Sequence, residues 1–345
     1  MKKLIRAVLF AAVLIYAVQY AGDVFYDRNR EALSSTYYEV APHGCDVLFV
    51  GNSLIMNAVY PMELYGAYGI CGYNLGTGGQ SLPESKHLIE EGIRRFSPKL
   101  IVLDTTQLIV KEGVQRITFL HYLTDNMPFL SLERFKLIAD LSAQMAYGPD
   151  EIMELIAPVT IYHQRWPEIT DITRGRDPKA HTAGAKLTGR VLKEIRPLSP
   201  HEPDENASFP PLAVETLKEI IALCAAHDTE LCLISIPLQS MSQEGFERRV
   251  DAAGFAERLA AEAGIRMWNQ AARADELGFD RAQDSADGIH LNICGALKFS
   301  AALGAYLHET YQLPDRRGDA AFARYEALYA DYLKAKEKIT VQSTK

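Results

Sequence analysis

Cysteine is scarce in this chain: five in 345 residues, at positions 45, 71, 224, 232 and 294, with no Cys-x-x-Cys pair. That scatter argues against a disulfide-framed scaffold and against a zinc site, both of which need clustered thiols. Buried free thiols are expected. Cys45 and Cys71 each stand just ahead of a predicted strand and would meet only if those strands are neighbours. Positive charge is short as well. Lys and Arg total 36 against 44 Asp and Glu, a formal charge of −8, and no basic face offers itself to a phosphate backbone, which argues against a nucleic-acid partner. No internal repeat is present, and no glycine loop is followed by a Walker-type lysine. The stretch Gly76-Thr77-Gly78-Gly79-Gln80-Ser81 ends in serine where a dinucleotide fingerprint needs its last glycine. A nucleotide-binding reading would also require the amino terminus to stay off the membrane.

What is present is an ordinary globular composition, 48% hydrophobic and 23% charged, enough for a sizeable core. One long apolar run opens the chain. Lys2, Lys3 and Arg6 precede Ala7–Val18, and Leu4–Phe25 has nearly the length needed to span a bilayer, where roughly 20 residues are required. Gln19 or Tyr20 falls where a signal peptidase wants a small residue, so an uncleaved signal anchor is favoured over a cleaved signal. The basic flank would stay in the cytoplasm and the rest of the chain outside. A buried helix of a soluble protein is the plainer alternative.

Residues 26–44 read as a polar, Tyr-rich lead-in. Strand signals follow at Asp46–Val50, Gly72–Leu75 and Leu100–Asp104, with an amphipathic helix over Ser81–Phe96 between them. Strands alternating with helices predict a parallel sheet covered on both faces. The rhythm stops after Leu108, and 108–211 reads as an irregular, proline-rich insertion, of the kind that forms a lid or one wall of a site. It returns with a helix at Pro211–His227, a strand at Glu230–Ile236 and a helix at Gln243–Ala263. A short strand at Ile265–Trp268 and a closing helix at Gly295–Thr310 complete it. The main domain is thus 45–315, and 316–345 is a helical tail that frays from Lys338.

Two short segments carry chemistry. Val47-Leu48-Phe49-Val50-Gly51-Asn52-Ser53 is a buried strand that delivers a serine at its carboxyl tip, where ligands bind in open parallel sheets. Gly51 would let the backbone turn tightly there, and the helix that follows would aim its amide dipoles at the seryl oxygen. A Gly-x-Ser alone is more often an ordinary turn. Asp287-Gly288-Ile289-His290 offers an acid and an imidazole three residues apart, close enough to pair in a loop or first helical turn. Asp287 would then fix the tautomer of His290, and His290 would take the Ser53 proton. Taken alone, this pair would be a helix-start turn and a surface histidine; together with Ser53 it completes a nucleophile, base and orienting acid. Asp284 is a second candidate for the acid. Glycines in 76–79 would present amides to a developing oxyanion.

These segments resemble blocks I, II and V of the SGNH/GDSL hydrolase superfamily: Gly51-Asn52-Ser53, Asn74-Leu75-Gly76-Thr77-Gly78-Gly79 and Asp287-Gly288-Ile289-His290, in the family's order over roughly 45–108 and 228–310. The resemblance implies a flavodoxin-like three-layer α/β/α sandwich. Ser53 would be the nucleophile, His290 the base and Asp287 the orienting acid, with the Ser53 and Gly79 amides in the oxyanion hole. No metal or cofactor is implied. Block III departs: Asp104-Thr105-Thr106-Gln107 stands where the family carries Gly-x-Asn-Asp, leaving Gln107 or a threonine hydroxyl as substitute for the asparagine.

The anchor, the insertion, Tyr162-His163-Gln164-Arg165-Trp166 and Tyr311-Gln312-Leu313-Pro314-Asp315-Arg316-Arg317 are further similar to membrane-anchored SGNH-like proteins of bacterial cell envelopes. That group works with membrane-bound O-acyltransferases on surface glycopolymers. The substrate does not carry over from that likeness; the anchor and the insertion make an acylated envelope glycan the expectation, with Asn52, His163, Arg165 and Trp166 as binding residues: Arg as a bidentate donor, Trp as a platform for a sugar ring. Equally, Trp166 could anchor the insertion to the core while Arg165 pairs with a nearby acid. The rival from another class is a non-catalytic glycan-binding or assembly module that keeps the fold.

Overall fold

Apolar runs too short for helices and bounded by polar turns become the centre of the molecule. The computed structural model describes residues 2–25, 32–34, 36–40, 44–110, 117–168, 179–192, 194, 196–237, 242–339 and 342–343. A long helix, α1 (Lys2–Phe25), precedes strand β1 (Val47–Val50), whose four residues are all fully buried. Helices α2 (Ser53–Ala58) and α3 (Pro61–Tyr68) lead to β2 (Gly72–Asn74), and α4 (Leu82–Phe96) leads to β3 (Leu100–Asp104). The later half adds α5 (Ile117–Thr124), α6 (Leu132–Gln144), α7 (Pro149–Ile156) and α8 (Pro211–Ala226). It closes with β4 (Glu230–Ser235), α9 (Gln243–Ala263), β5 (Arg266–Asn269), α10 (Ile293–Thr310) and α11 (Ala323–Glu337).

The five strands form one parallel sheet in the order β2-β1-β3-β4-β5. Alternate residues of each strand point to opposite faces. Leu48, Val50, Ile101, Leu103, Leu231 and Leu233 pack with α4, α8 and α9. Val47, Phe49, Val102, Cys232 and Ile234 pack with α2, α3 and α10. This is a three-layer α/β/α sandwich with the flavodoxin-like strand order, preceded by an apolar helix. Registers such as Val50↔Leu103 and Asp104↔Ile234 bring the carboxyl ends of the central strands to one edge of the sheet.

Three regions depart from the sequence reading. The first half of the 108–211 stretch, where described, is not irregular: α5, α6 and α7 are ordered helices. Its prolines misled because two of them mark helix starts. Pro149 opens α7, where its missing N–H costs nothing, and Pro158 caps the short helix Val159–Tyr162. Ser131 caps α6, its hydroxyl accepting from the Arg134 amide. The described residues of the lead-in are packed against the domain. Leu33, Tyr37 and Val40 are core residues, the Leu33 amide donates to the Tyr122 carbonyl at 2.7 Å, and the Thr36 hydroxyl meets the Tyr73 hydroxyl at 2.6 Å. Finally, Gln342–Ser343 pairs with Arg190–Val191 beyond the end of α11.

The tail secures the β2 side of the sheet. Arg316 makes a bidentate pair with Asp46, both bonds 2.9 Å, and buried Tyr332 donates to Glu63 at 2.6 Å. All five cysteines are thiols, and Cys45 Sγ donates to the Val47 carbonyl at 3.0 Å.

Candidate active site

Ser53 follows β1 by three residues and is the first residue of α2, so it stands where β1 emerges from the sheet. Gly51 makes that exit: a side chain there would begin 3.0 Å from both Asp104 Cβ and Ile55 Cγ2, too close for any other residue without movement. Asn52 caps the helix, its Oδ1 accepting from the Leu54 amide at 2.9 Å. Among the described residues no acceptor takes the Ser53 amide.

From the far end of the chain, the loop 285–291 folds back on itself through a Ser285↔Leu291 bridge and an Ala286 amide to His290 carbonyl bond of 2.9 Å. Asn292 locks its exit, accepting from the Cys294 and Gly295 amides and donating to the Gln283 carbonyl at 2.6 Å. In this loop Asp287 Oδ1 receives the amides of Ile289 and His290, both at 2.9 Å, and Oδ2 lies 2.9 Å from His290 Nδ1. The other ring nitrogen, Nε2, is 2.8 Å from Ser53 Oγ. Burial pushes the Asp287 carboxyl up, but the hydrogen bonds from His290 and the loop amides outweigh it and hold it down at about 2. Ionised Asp287 can only accept, so Nδ1 carries the proton and Nε2 presents a lone pair to the seryl O–H.

Asp284, the other acid considered, points elsewhere. It is buried, with Oδ2 accepting from the Asp280 amide and from Lys298 Nζ, each at 2.7 Å.

The glycine loop after β2 is built by Asn74, which sequence reading saw only as part of a motif. Its side-chain amide donates to the Ile55 and Val59 carbonyls, both 2.8 Å, and its Oδ1 accepts from the Gly76 amide at 2.9 Å. The loop is thereby fastened to the helix that carries Ser53. Gly79 has φ of 67°, a left-handed conformation, and the Phe119 ring from α5 lies 2.6 Å from where its side chain would begin. Glycine is required there on both counts.

Gln107 does not fill the place of the missing asparagine. Both protons of its amide are committed, to the Gln80 carbonyl at 2.9 Å and the Ser85 hydroxyl at 2.7 Å. Its role is to hold the glycine loop against α4. Thr106 is also occupied, its hydroxyl donating to Asp104 and receiving a long 3.5 Å contact from Asn52 Nδ2. The remaining candidates, His163, Arg165 and Trp166, lie beside α1, where Arg165 Nη1 donates to the Phe25 carbonyl at 2.9 Å. They are not among the residues bonded around Ser53.

Beneath the site, Asp104 is fully buried, and burial pushes its carboxyl up to about 6 despite the Thr106 hydrogen bonds. The cation that acts on it, Arg249, is itself brought down to about 10 by burial, and its Nε and Nη1 have no partner among the described residues. The folded chain therefore holds a proton on Asp104 that the unfolded chain loses near the ordinary value of 3.8. The contribution of Asp104 to stability is fully present below that pH and is lost as pH rises to about 6, about 3 kcal/mol in all. Asp104→Asn is expected to abolish this slope, read as unfolding free energies of wild type and variant across that range. An equal slope in both would assign it to other groups.

No family model matches the chain, and no curated protein matches it. Solved structures to which it is similar include a GDSL-like lipase from Bacteroides thetaiotaomicron, at 11% identity and a TM-score of 0.40, covering 82% of this chain and 99% of that one. Another is a candidate acylhydrolase from Bacteroides fragilis, at 11% identity and a TM-score of 0.39, covering 80% and 95% respectively. A third is a gut microbial diltiazem-metabolizing enzyme, at 12% identity and a TM-score of 0.38, covering 78% of this chain but 47% of that one.

Proposed function

We propose that the chain is an extracytoplasmic serine esterase or O-acyltransferase of the SGNH type, acting on acyl groups of a cell-envelope glycopolymer. The observation that carries this reading is the unbroken series Asp287 Oδ2, His290 Nδ1, His290 Nε2, Ser53 Oγ, with links of 2.9 and 2.8 Å. Ser53 attacks the acyl carbonyl while His290 takes its proton, and the same imidazole protonates the departing alcohol. The acyl-serine then passes its acyl group to water or to a sugar hydroxyl, with His290 again as base. Negative charge on the carbonyl oxygen is met by the Ser53 and Gly79 amides. The family resemblance and the apolar helix α1 support an envelope substrate, and a membrane-bound O-acyltransferase is the partner that would supply acyl groups.

The test is intact-mass analysis of the full-length chain after a fluorophosphonate probe. One adduct is expected in wild type and none in Ser53→Ala or His290→Ala. No adduct in folded wild type would sink the enzymatic reading and favour a binding module.

A further inference from the structure

We propose that the outer face of the insertion, Val159–Trp166, sits in the headgroup region of a lipid bilayer with Trp166 as its interfacial anchor. This rests on α1 crossing a membrane, and it adds a second contact between the domain and the lipid, one that does not cross it.

The level of the bilayer edge follows from α1. Its apolar span runs Lys2–Gly22, and a 24-residue helix is about 36 Å long against a hydrocarbon core of about 30 Å. The last turn therefore emerges at the interface. Residues 2–17 of α1 are exposed over their whole circumference, whereas Val18, Gln19, Ala21, Gly22, Val24 and Phe25 are partly covered. The segment Val159–Glu168 is in contact with α1. Arg165 reaches the Phe25 carbonyl at 2.9 Å, which places its guanidinium at the carboxyl end of the helix, where a cation is favoured by the dipole and by lipid phosphates.

Trp166 is the next residue and is 70% exposed. The short helix before it buries none of its residues, leaving Val159 and Ile161 partly open too. A large indole left in water beside a membrane helix is unfavourable; at the headgroup level the same ring is at its preferred depth. The lead-in leaves little slack. Only residues 26–31 separate Phe25 from Ala32, a reach of at most about 25 Å. From there Leu33, Tyr37 and Val40 are bound into the core. With Phe119 of α5 pressed on the Gly79 loop, the seat of the insertion sets how far Ser53 stands from the lipid.

The chain has two tryptophans, which makes the test direct. Trp268 is packed between Phe299 and Tyr306, ring centroids 5.3 and 5.4 Å away. Full-length Trp268→Phe is placed in phosphatidylcholine–phosphatidylglycerol vesicles, and flotation first shows whether α1 inserts. Failure to float would overturn the anchor reading and this proposal together. In floated protein, Trp166 emission is expected to be lost to lipids brominated high on the acyl chain and to be shielded from aqueous iodide. The same component should be missing when Trp166→Phe is subtracted from wild type, which covers any folding defect of the first variant. Quenching by iodide and not by bromolipid would leave Trp166 in water and overturn the proposal. Shielding from both would assign the face to a second copy or a protein partner, and would overturn it equally.

Discussion

Replacing Ser53 by alanine is expected to lower acyl-ester turnover by about 10⁴-fold or more, and His290→Ala by a similar factor, with the double variant no worse than either alone. The non-additivity is the informative part. Ser53 Oγ and His290 Nε2 share one proton across 2.8 Å, so removing either partner removes the same step. Asp287→Asn should cost about 10³- to 10⁴-fold while leaving the fold intact. An asparagine amide would donate to Nδ1 and force the tautomer that puts a proton on Nε2, where it can no longer accept from the serine. Stopped assays with an aryl acetate ester, run on protein with unchanged thermal unfolding, separate these effects. Additive losses in the double variant would mean that serine and histidine act in different steps, and the proposed relay would have to be given up.

Arg134→Met is expected to unfold the insertion locally, at a cost of about 3–5 kcal/mol, while the sheet stays folded. This guanidinium is 1% exposed and forms no ion pair among the described residues. It donates instead to backbone carbonyls: Nε to Thr124 at 2.9 Å, Nη2 to Leu155 and, at 3.3 Å, to Ile156, and Nη1 to Phe129 at 3.5 Å. Thr124 ends α5, and Leu155 and Ile156 end α7. One cation thus caps the negative carboxyl ends of two helices from the first turn of a third. Methionine keeps the apolar stem but leaves the carbonyls buried without donors. Lysine should rescue poorly, because an ammonium cannot span carbonyls on both helices. Hydrogen exchange reads this directly: amides of 117–168 should lose protection while those of β1 and β3 keep it. Uniform loss across the sheet would show that the insertion is not a separable unit. Since Phe119 of α5 packs on Gly79, activity should fall with the insertion.

Strands β1, β3 and β4 were legible because each is a short apolar run ended by glycine or a polar cluster, and burial on both faces admits little else. Residues 230–235 and 266–269 fall within one residue of the sequence expectation at every start and finish. Helix Gln243–Ala263 is bounded as its pattern predicts, with Ser242 capping it and Gly264 ending it in a left-handed conformation. The insertion was misread because proline is a local signal whose meaning depends on position: at the first residue of α7 it starts a helix. The lead-in was misread because its tyrosines look polar in sequence, yet Tyr37 is enclosed by Tyr73 and Phe96, ring centroids 5.3 and 5.1 Å away.

The sequence by itself determined the parallel α/β architecture, the apolar first helix, and which serine, histidine and aspartate were worth placing. These depend on periodicity and on spacings within a few residues, which a single chain displays openly. Only the tertiary structure decided what those residues meet. Ser53 and His290 are 237 positions apart, and no local rule brings them to 2.8 Å. The loss of Gln107 to Gln80 and Ser85, the fastening of the glycine loop by Asn74, and the placement of Arg165 on the Phe25 carbonyl are likewise contacts between distant segments. Donor and acceptor capacity is written in a residue's type; which partner uses it up is settled only when the sheet closes and the helices pack.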